Sequence, residues 1–550
     1  MPAPTHAFRS AGPPVRRSAV LALGWLLGAA APAAAQLPDP FVVPRGALRL
    51  GFEPVYTNYD RLFNQAGDEF PLGAFFSADS LGTAHLPTLT PAELAVRAIT
   101  RDGSFRFNLG ALRARLDADI RRLPFTLGLG LTRWLTFTAT VPLVTTRVNA
   151  TVRLDSTGAN AGWNQITSAG SDPGALDSLL TLLSGLEAAA AQLEAGIAGG
   201  SYGCPSSAQC DQARDLVARA RDLAANLSAL AGVPGLVSGD GTAPAPPFAP
   251  LETSPAGAAI RGAIEALSAE LQTFGLAGLA GGLPLPTSGA DSSAVDEVLT
   301  DPDFGYGAGA LTPPRTVKLS GIGDIELGLR VALAQREGVR AVLGATVRLP
   351  TGKRDDPNDF LDLGTGDHQT DLIWTLDAGL EPWGRLGLWL SAAYTLQMAD
   401  RLDVRIAPPD RPLAPASTLA TVDRNLGDVL RVSAHPAFRL APDFRAFVSA
   451  AYEKKWADRF SRDGTPIPEL ETFTGRETWA FGAGLLYRVD QGRVGSVLPI
   501  EASLSYQAAF FGKGGATPKA GRFALALRLY YNLWGDRPPT APPPSPTPQQ

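Results

Sequence analysis

Residues Leu135 to Leu143 read LTFTATVPL, and their alternation decides the architecture. Leu135, Phe137, Ala139, Val141 and Leu143 fall on one face of an extended chain and Thr136, Thr138 and Thr140 on the other, because successive strand side chains point to opposite sides. The period recurs downstream. Leu343, Ala345, Val347 and Leu349 alternate with Gly344, Thr346 and Arg348; Leu372, Trp374, Leu376, Ala378 and Leu380 with Thr375, Asp377, Gly379 and Glu381; and Leu386, Leu388, Leu390, Ala392 and Tyr394 with Arg385, Gly387, Ser391 and Thr395. A soluble barrel and a membrane barrel share this pattern, so linkage has to separate them.

Twelve such segments lie at about 46–59, 111–132, 134–153, 316–334, 338–350, 369–382, 385–398, 428–440, 444–456, 477–489, 498–511 and 521–533. Short or modest connections at Thr132-Arg133, Arg336-Glu337-Gly338, Trp383-Gly384, Pro442-Asp443 and Asp490 to Ser496 follow segments 2, 4, 6, 8 and 10, while most odd-numbered connections are far longer. An even strand count with short turns at one end and long loops at the other is the signature of a single-chain outer-membrane barrel. The expected fold is therefore an all-β transmembrane antiparallel β-barrel of about 12 strands with a helical extracellular insertion, in the bacterial outer membrane with its termini in the periplasm. A slip of the outward phase near Arg121 to Pro124 keeps a fourteen-stranded barrel as the alternative.

The ends agree with export. Arg9, Arg16 and Arg17 precede the apolar run Ala19 to Ala31, and Ala33-Ala34-Ala35 makes a small-residue cleavage site, so residues 1–35 read as a signal peptide and Gln36 as the mature start. No cysteine stands at the cut, so no lipid anchor is expected. Beyond the signal no apolar run of eighteen or more residues is evident, which argues against helical spans. The last segment carries Phe523, Leu525, Leu527, Leu529, Tyr531 and Leu533 on one face. Its aromatic end, Tyr530, Tyr531 and Trp534, resembles the signal read by the outer-membrane assembly machinery, an expected partner beside the membrane lipid. Residues 535–550 (GDRPPTAPPPSPTPQQ) read as a Pro-rich periplasmic tail.

Composition excludes other classes. The net charge of −5 over 550 residues leaves no basic stripe for nucleic acid. Cys204 and Cys210 lie in a Gly/Pro/Ser-flanked segment of an exported chain, with no histidine near them for a metal site, and are expected to form a local disulfide.

The organisation is then 36–154 for the first strands with a long first loop, 155–315 for the insertion and 316–534 for the remaining strands. Within the insertion, Gly174 to Ile197, Ala208 to Leu230 and Pro255 to Leu279 are rich in Ala and Leu at helical spacing, and Asp172-Pro173 and Ser254-Pro255 suit helix starts. They form a lid, a ligand-binding module or a spacer. Gly232 to Pro250 and Gly281 to Pro313 read as links. Leu62 to Ile99, with Phe63, Phe70, Phe75 and Phe76, reads as an outer loop in preference to a plug in the lumen.

By phase, Asp324, Glu326, Arg330, Arg348, Asp377, Glu381, Arg385, Arg431, His435, Arg439, Arg445, Glu453, Arg488, Glu501 and Arg528 point into the lumen. Mixed charges either pair across it or line a hydrated path, and without a single-sign ring no strong ion selectivity is expected. Between Lys353 and Asp371 the acids Asp355, Asp356, Asp359, Asp362, Asp367 and Asp371 are hard oxygen donors. They lack the alternate spacing of a calcium loop, so a solvated loop and no metal are expected.

Several stretches carry a resemblance: LTFTATVPLV at Leu135, GIGDIELGLRVAL at Gly321, VRLPTGKR at Val347 and LGTGDHQTD at Leu363. They resemble outer-membrane proteins of the group named for the meta pathway of phenol degradation, which is similar to the long-chain fatty acid and aromatic hydrocarbon outer-membrane transporters. The resemblance covers roughly 100–155 and 316–534, and the insertion departs from it. It implies a channel for small hydrophobic or aromatic compounds without a cofactor. The alternative is a surface interaction protein whose barrel anchors the insertion.

Catalysis is not expected. The mature histidines are His85, His368 and His435, and the GGSYG string around Ser201 follows a predicted helix, whereas a nucleophile elbow needs a strand before it.

Overall fold

Each alternating segment pairs with its chain neighbours and the twelfth returns to the first, closing an antiparallel barrel. The computed structural model describes residues 38–167, 173–232, 246–312, 314–336, 338–381, 384–408, 411–488 and 500–534. The signal peptide, the Pro-rich tail and the whole connection from Asp490 to Ser496 lie outside them.

The barrel strands are β1 (Ala47–Phe52, resuming as Val55–Tyr59), β2 (Ala111–Gly130), β3 (Leu135–Asp155), β4 (Arg315–Ile322, resuming as Glu326–Arg336), β5 (Val339–Arg348) and β6 (Asp371–Leu380). They continue as β7 (Leu386–Gln397), β8 (Val429–Ala441), β9 (Phe444–Lys455), β10 (Arg476–Arg488), β11 (Ile500–Lys513) and β12 (Gly521–Asn532). β1 is interrupted where Pro54 has no N–H to donate to a ladder. β2 runs unbroken against β3 from Ala111↔Asp155 to Gly130↔Thr136, with Pro124 opposite Pro142. It is one strand, and the barrel has twelve.

Outward side chains such as Leu143, Leu329, Trp374, Val448, Phe481 and Phe510 are exposed around the wall. An apolar band of this extent is stable against lipid and not against water, and a closed barrel leaves no unpaired strand edge in the bilayer. The protein is a transmembrane β-barrel. β2 and β3 exceed the membrane: twenty residues at about 3.3 Å each outrun an apolar band about 25 Å tall even when tilted. Their far halves rise above it and bury Leu112, Leu116, Val148 and Val152 in an extracellular core.

That core joins the first loop to the insertion. The helices are α1 (Thr90–Thr100), α2 (Pro173–Ala198), α3 (Ala208–Ala231), α4 (Pro255–Thr273) and α5 (Ser292–Thr300). Leu72, Phe76, Leu89 and Val96 of the first loop pack with Leu182 and Leu186 of α2, Leu216 and Leu227 of α3 and Leu267 of α4. Helix α2 from Gly174 is by length and composition apolar enough to cross a membrane, contrary to the reading of the sequence; here Leu179, Leu182, Leu183, Leu186 and Leu193 are buried in the extracellular core, while Leu176 and Leu180 are exposed. Hydroxyl and carboxylate caps start three helices, with Ser207, Ser254 and Asp291 accepting from the backbone N–H of Cys210, Gly257 and Ala294. Cys204 and Cys210 are bonded across the turn between α2 and α3, their Cα atoms 5.2 Å apart.

A second extracellular unit stands over β6 to β10. Residues 400–405, 419–425, 459–462 and 465–466 form a four-stranded sheet around Leu402, Val422, Phe460 and Leu470.

Candidate functional site: the lumen

Period two delivers one inward residue in two from each strand, and twelve tilted strands leave room between the opposing walls. A cavity of about 280 Å³ occupies that space. Thr126, Thr138, Thr140, Thr346, Thr375 and Thr478 line it with Ile120, Ile373, Ala480 and Ala509, together with eight arginines and no lysine among the described residues.

The periplasmic floor is a piece of the chain itself. Gly46 turns the backbone with φ +78°, where an added Cβ would lie 1.8 Å from the carbonyl oxygen of Trp534. Residues 38–45 consequently fold back into the barrel, and the N–H of Val43 donates to Thr136 Oγ1 at 2.8 Å. The Phe41 ring is sandwiched by guanidinium groups, Arg340 at 4.4 Å and Arg488 at 4.3 Å from its centroid. Asp39 pairs with Arg49 and lies 3.9 Å from both Arg330 and Arg528. Arg330 also reaches Asp377 at 3.0 Å, Arg528 reaches Glu53 at 2.8 Å and Glu501 at 2.9 Å, and Arg488 reaches Glu501 at 2.6 Å. Around the plug, Arg49, Arg330, Arg488 and Arg528 are thus matched by Asp39, Glu53, Asp377 and Glu501.

A second balanced group lies on the β2–β6 wall. Glu326 holds Arg122 at 3.1 Å and Arg348 at 3.2 Å, and Arg348 also reaches Asp371 at 2.8 Å.

The outer end on the β8–β12 side is different. Glu453 holds Arg431 at 2.7 Å and Arg476 at 3.4 Å, and Arg522 of β12 enters the same space as a third guanidinium. Two of these guanidinium groups hold Glu453, and among the described residues Arg522 has no carboxylate within ion-pair distance.

The remaining residues expected in the lumen scatter. Glu381 pairs with Arg445 at 3.3 Å and Arg439 at 3.7 Å near the periplasmic mouth, outside the cavity lining, and Arg445 also covers Trp389. Arg385 is exposed at the β6–β7 turn and does not reach the lumen; a strand's phase stops constraining side chains where the turn begins. His435 is buried against Phe447, with Nε2 3.1 Å from Ser433 Oγ. Asp324 sits in the break of β4, where its carboxylate accepts from the N–H groups of Gly352 at 2.8 Å and Asp367 at 3.2 Å. It ties the acidic loop to the wall and does not face the cavity.

That loop is packed, not solvated as the sequence suggested. Leu361 and Leu363 are buried, Asp359 pairs with Arg315 at 2.6 Å, and Asp362 accepts from the N–H of Asp356 at 3.0 Å. Burial pushes the Asp355 carboxyl up to about 6. No cluster of metal-ligating side chains occurs among the described residues. Ser201 lies in the turn after α2, with no strand before it. None of Leu62 to Ile99 lines the cavity.

Sequence reasoning passed over Asp39, Phe41, Arg49, Glu53, Arg122, Arg476 and Arg522. The signal existed for some. Arg522 has the same parity on β12 as Arg528, and Arg49 and Glu53 alternate with Leu48, Leu50 and Phe52. Asp39 and Phe41 had none, because Pro38, Pro40 and Pro44 make their segment read as a linker.

No protein-family model matches the chain, and no curated protein matches it. Among solved structures it is similar to an outer membrane channel from Pseudomonas putida F1, at 9% identity and TM-score 0.40, covering 90% of this chain and 98% of that one. It is also similar to a Pseudomonas aeruginosa FadL homologue, at 11% identity, TM-score 0.27 and coverage of 94% and 100%. The toluene transporter of Ralstonia pickettii follows at 9% identity, TM-score 0.26 and coverage of 90% and 91%.

Proposed function

We propose that the protein is a channel that passes small, largely apolar compounds across the outer membrane. The observation that carries this reading is the cavity of about 280 Å³ held between the plug and the outer arginines, inside a wall closed on every side. A barrel serving only as an anchor has no need of an inner space with threonine, isoleucine and arginine facing one another. The anchor reading also meets an obstacle in the outer layer: the insertion shares one hydrophobic core with the first loop, so it is a built-in cap and not a detachable module.

The Pro38 to Arg45 segment acts as the inner gate in this reading, since a solute leaving the cavity toward the periplasm must displace it. Outward Tyr531 and Trp534 at the end of β12 serve as the aromatic signal for the assembly machinery. Catalysis is no part of this reading. Ser433 and His435 approach each other, but His435 Nδ1 has no hydrogen-bond partner among the described residues, so no acid orients the ring as a triad requires.

Planar-bilayer recording of the refolded mature protein, beside a variant lacking residues 38–44, tests the proposal. The expected result is low conductance from the intact protein and a several-fold rise when the plug is gone. Silence from both forms, with liposomes that admit no test solute, overturns it.

A further inference from the structure

Arg49, Arg330, Arg488 and Arg528 around the plug share a matched set of carboxylates, whereas at the outer end of the cavity Arg431 and Arg476 converge on Glu453 and Arg522 stands beside them. Arg522 has no carboxylate within ion-pair distance among the described residues, and its Nε is enclosed without a hydrogen-bond partner. The Tyr59 hydroxyl lines the same cavity, on a residue only 4% exposed, and it too lacks a partner. Like charges gathered in a space with little water repel one another and leave their desolvation uncompensated until a counter-charge arrives. Enclosed donors left idle therefore describe the complement of something that accepts.

We propose that this end of the cavity is a binding subsite for a small organic monocarboxylate, with Arg522, Arg476 and Arg431 as guanidinium donors and Tyr59 as a hydroxyl donor. The inference rests on the channel reading for its biological role and deepens it by naming the charge class of the solute. A planar guanidinium presents parallel N–H donors that match the two oxygens of a carboxylate, which explains arginine to the exclusion of lysine. Ile120, Ile373, Ala480 and Ala509 supply apolar wall for the body of the ligand. A cavity of about 280 Å³ admits a body of phenyl size and not an extended long acyl chain. The subsite sits at the long-loop end, near the start of β12 and β10 and the end of β9, where a solute entering from outside meets it before the plug.

Isothermal titration of the detergent-solubilised mature protein with benzoate, benzyl alcohol and chloride tests the assignment. Benzoate is expected to bind saturably, and benzyl alcohol at least about tenfold more weakly, the size of one charge-assisted hydrogen bond. Arg522→Gln should weaken benzoate by a similar factor, and Glu453→Gln should tighten it, a direction that general damage to the fold cannot produce. Arg401→Gln, on the exposed outer sheet, is the control that leaves binding alone. Equal affinity for benzoate and benzyl alcohol overturns the proposal, as does an unchanged Arg522→Gln or competition by chloride at benzoate's own concentration, which reduces the site to one for inorganic anions. Binding is read without permeation, so a silent barrel that still binds benzoate removes the channel reading and leaves the subsite standing.

Discussion

The two ends of the lumen are built from the same side chains to opposite purposes. At the periplasmic end arginines and carboxylates are matched around Asp39 and the chain is packed in place; at the outer end guanidinium groups outnumber their partner and space is left beside them. A matched buried network holds a conformation. An unmatched one waits for a ligand. Arginine in a barrel lumen therefore has no fixed meaning until its neighbours on other strands are known.

The sharpest way to break this contrast uses one substitution at two places on β12. Arg528→Gln strips Glu53 and Glu501 of their shared partner and should lower unfolding stability by about 3–5 kcal/mol, because a buried charge is left uncompensated. Arg522→Gln, also inward on that strand, should leave stability unchanged or raise it by about 1–2 kcal/mol, because it removes a buried charge that has no ion-pair partner among the described residues. Urea unfolding in detergent checks both, and equal losses would erase the distinction. Next in size, Asp39→Asn removes the charge that three arginines surround and should release the plug at a cost of about 2–3 kcal/mol, read as a rise in single-channel conductance without loss of the folded barrel. Phe41→Ala forfeits two cation–π contacts worth about 1 kcal/mol each, so its conductance should rise by less.

The smallest effect lies outside the lumen, in the acidic loop. The Asp355 carboxyl is raised by burial to about 6 in the folded chain, so as pH climbs from about 4 the unfolded chain sheds its proton first. Loop stability should fall between about pH 4 and 6 and stay low above that window. Asp355→Asn should abolish the dependence. Hydrogen exchange of residues 351–370 measures it, and a pH-independent wild-type loop would contradict the assignment.

Much of the wall was legible because a strand's period of two is local. Leu135 to Leu143 announces its lipid face with no knowledge of any other strand, and Phe523 to Leu533 does the same. The twelve segments and the alternation of short and long connections follow from such local patterns. The same logic placed Glu326, Arg330, Arg431 and Arg528 inward, and it misjudged Arg385 only because that residue stands where the strand has ended. The three long helices of the insertion were equally readable from their Ala and Leu spacing.

Partnership across the lumen was not legible. Arg528 meets Glu53 from the opposite end of the chain because β12 closes on β1, and Arg330 meets Asp39 because a proline-rich segment turns inward at Gly46. The sequence by itself determined an antiparallel wall of about twelve strands, with fourteen left open, its lipid face and its orientation, all consequences of periodicity and connection length. Only the tertiary structure decided that the chain's own start plugs the periplasmic end and that the excess of positive charge collects at the outer one. Closure sets residues hundreds of positions apart face to face, and no local pattern encodes such distances.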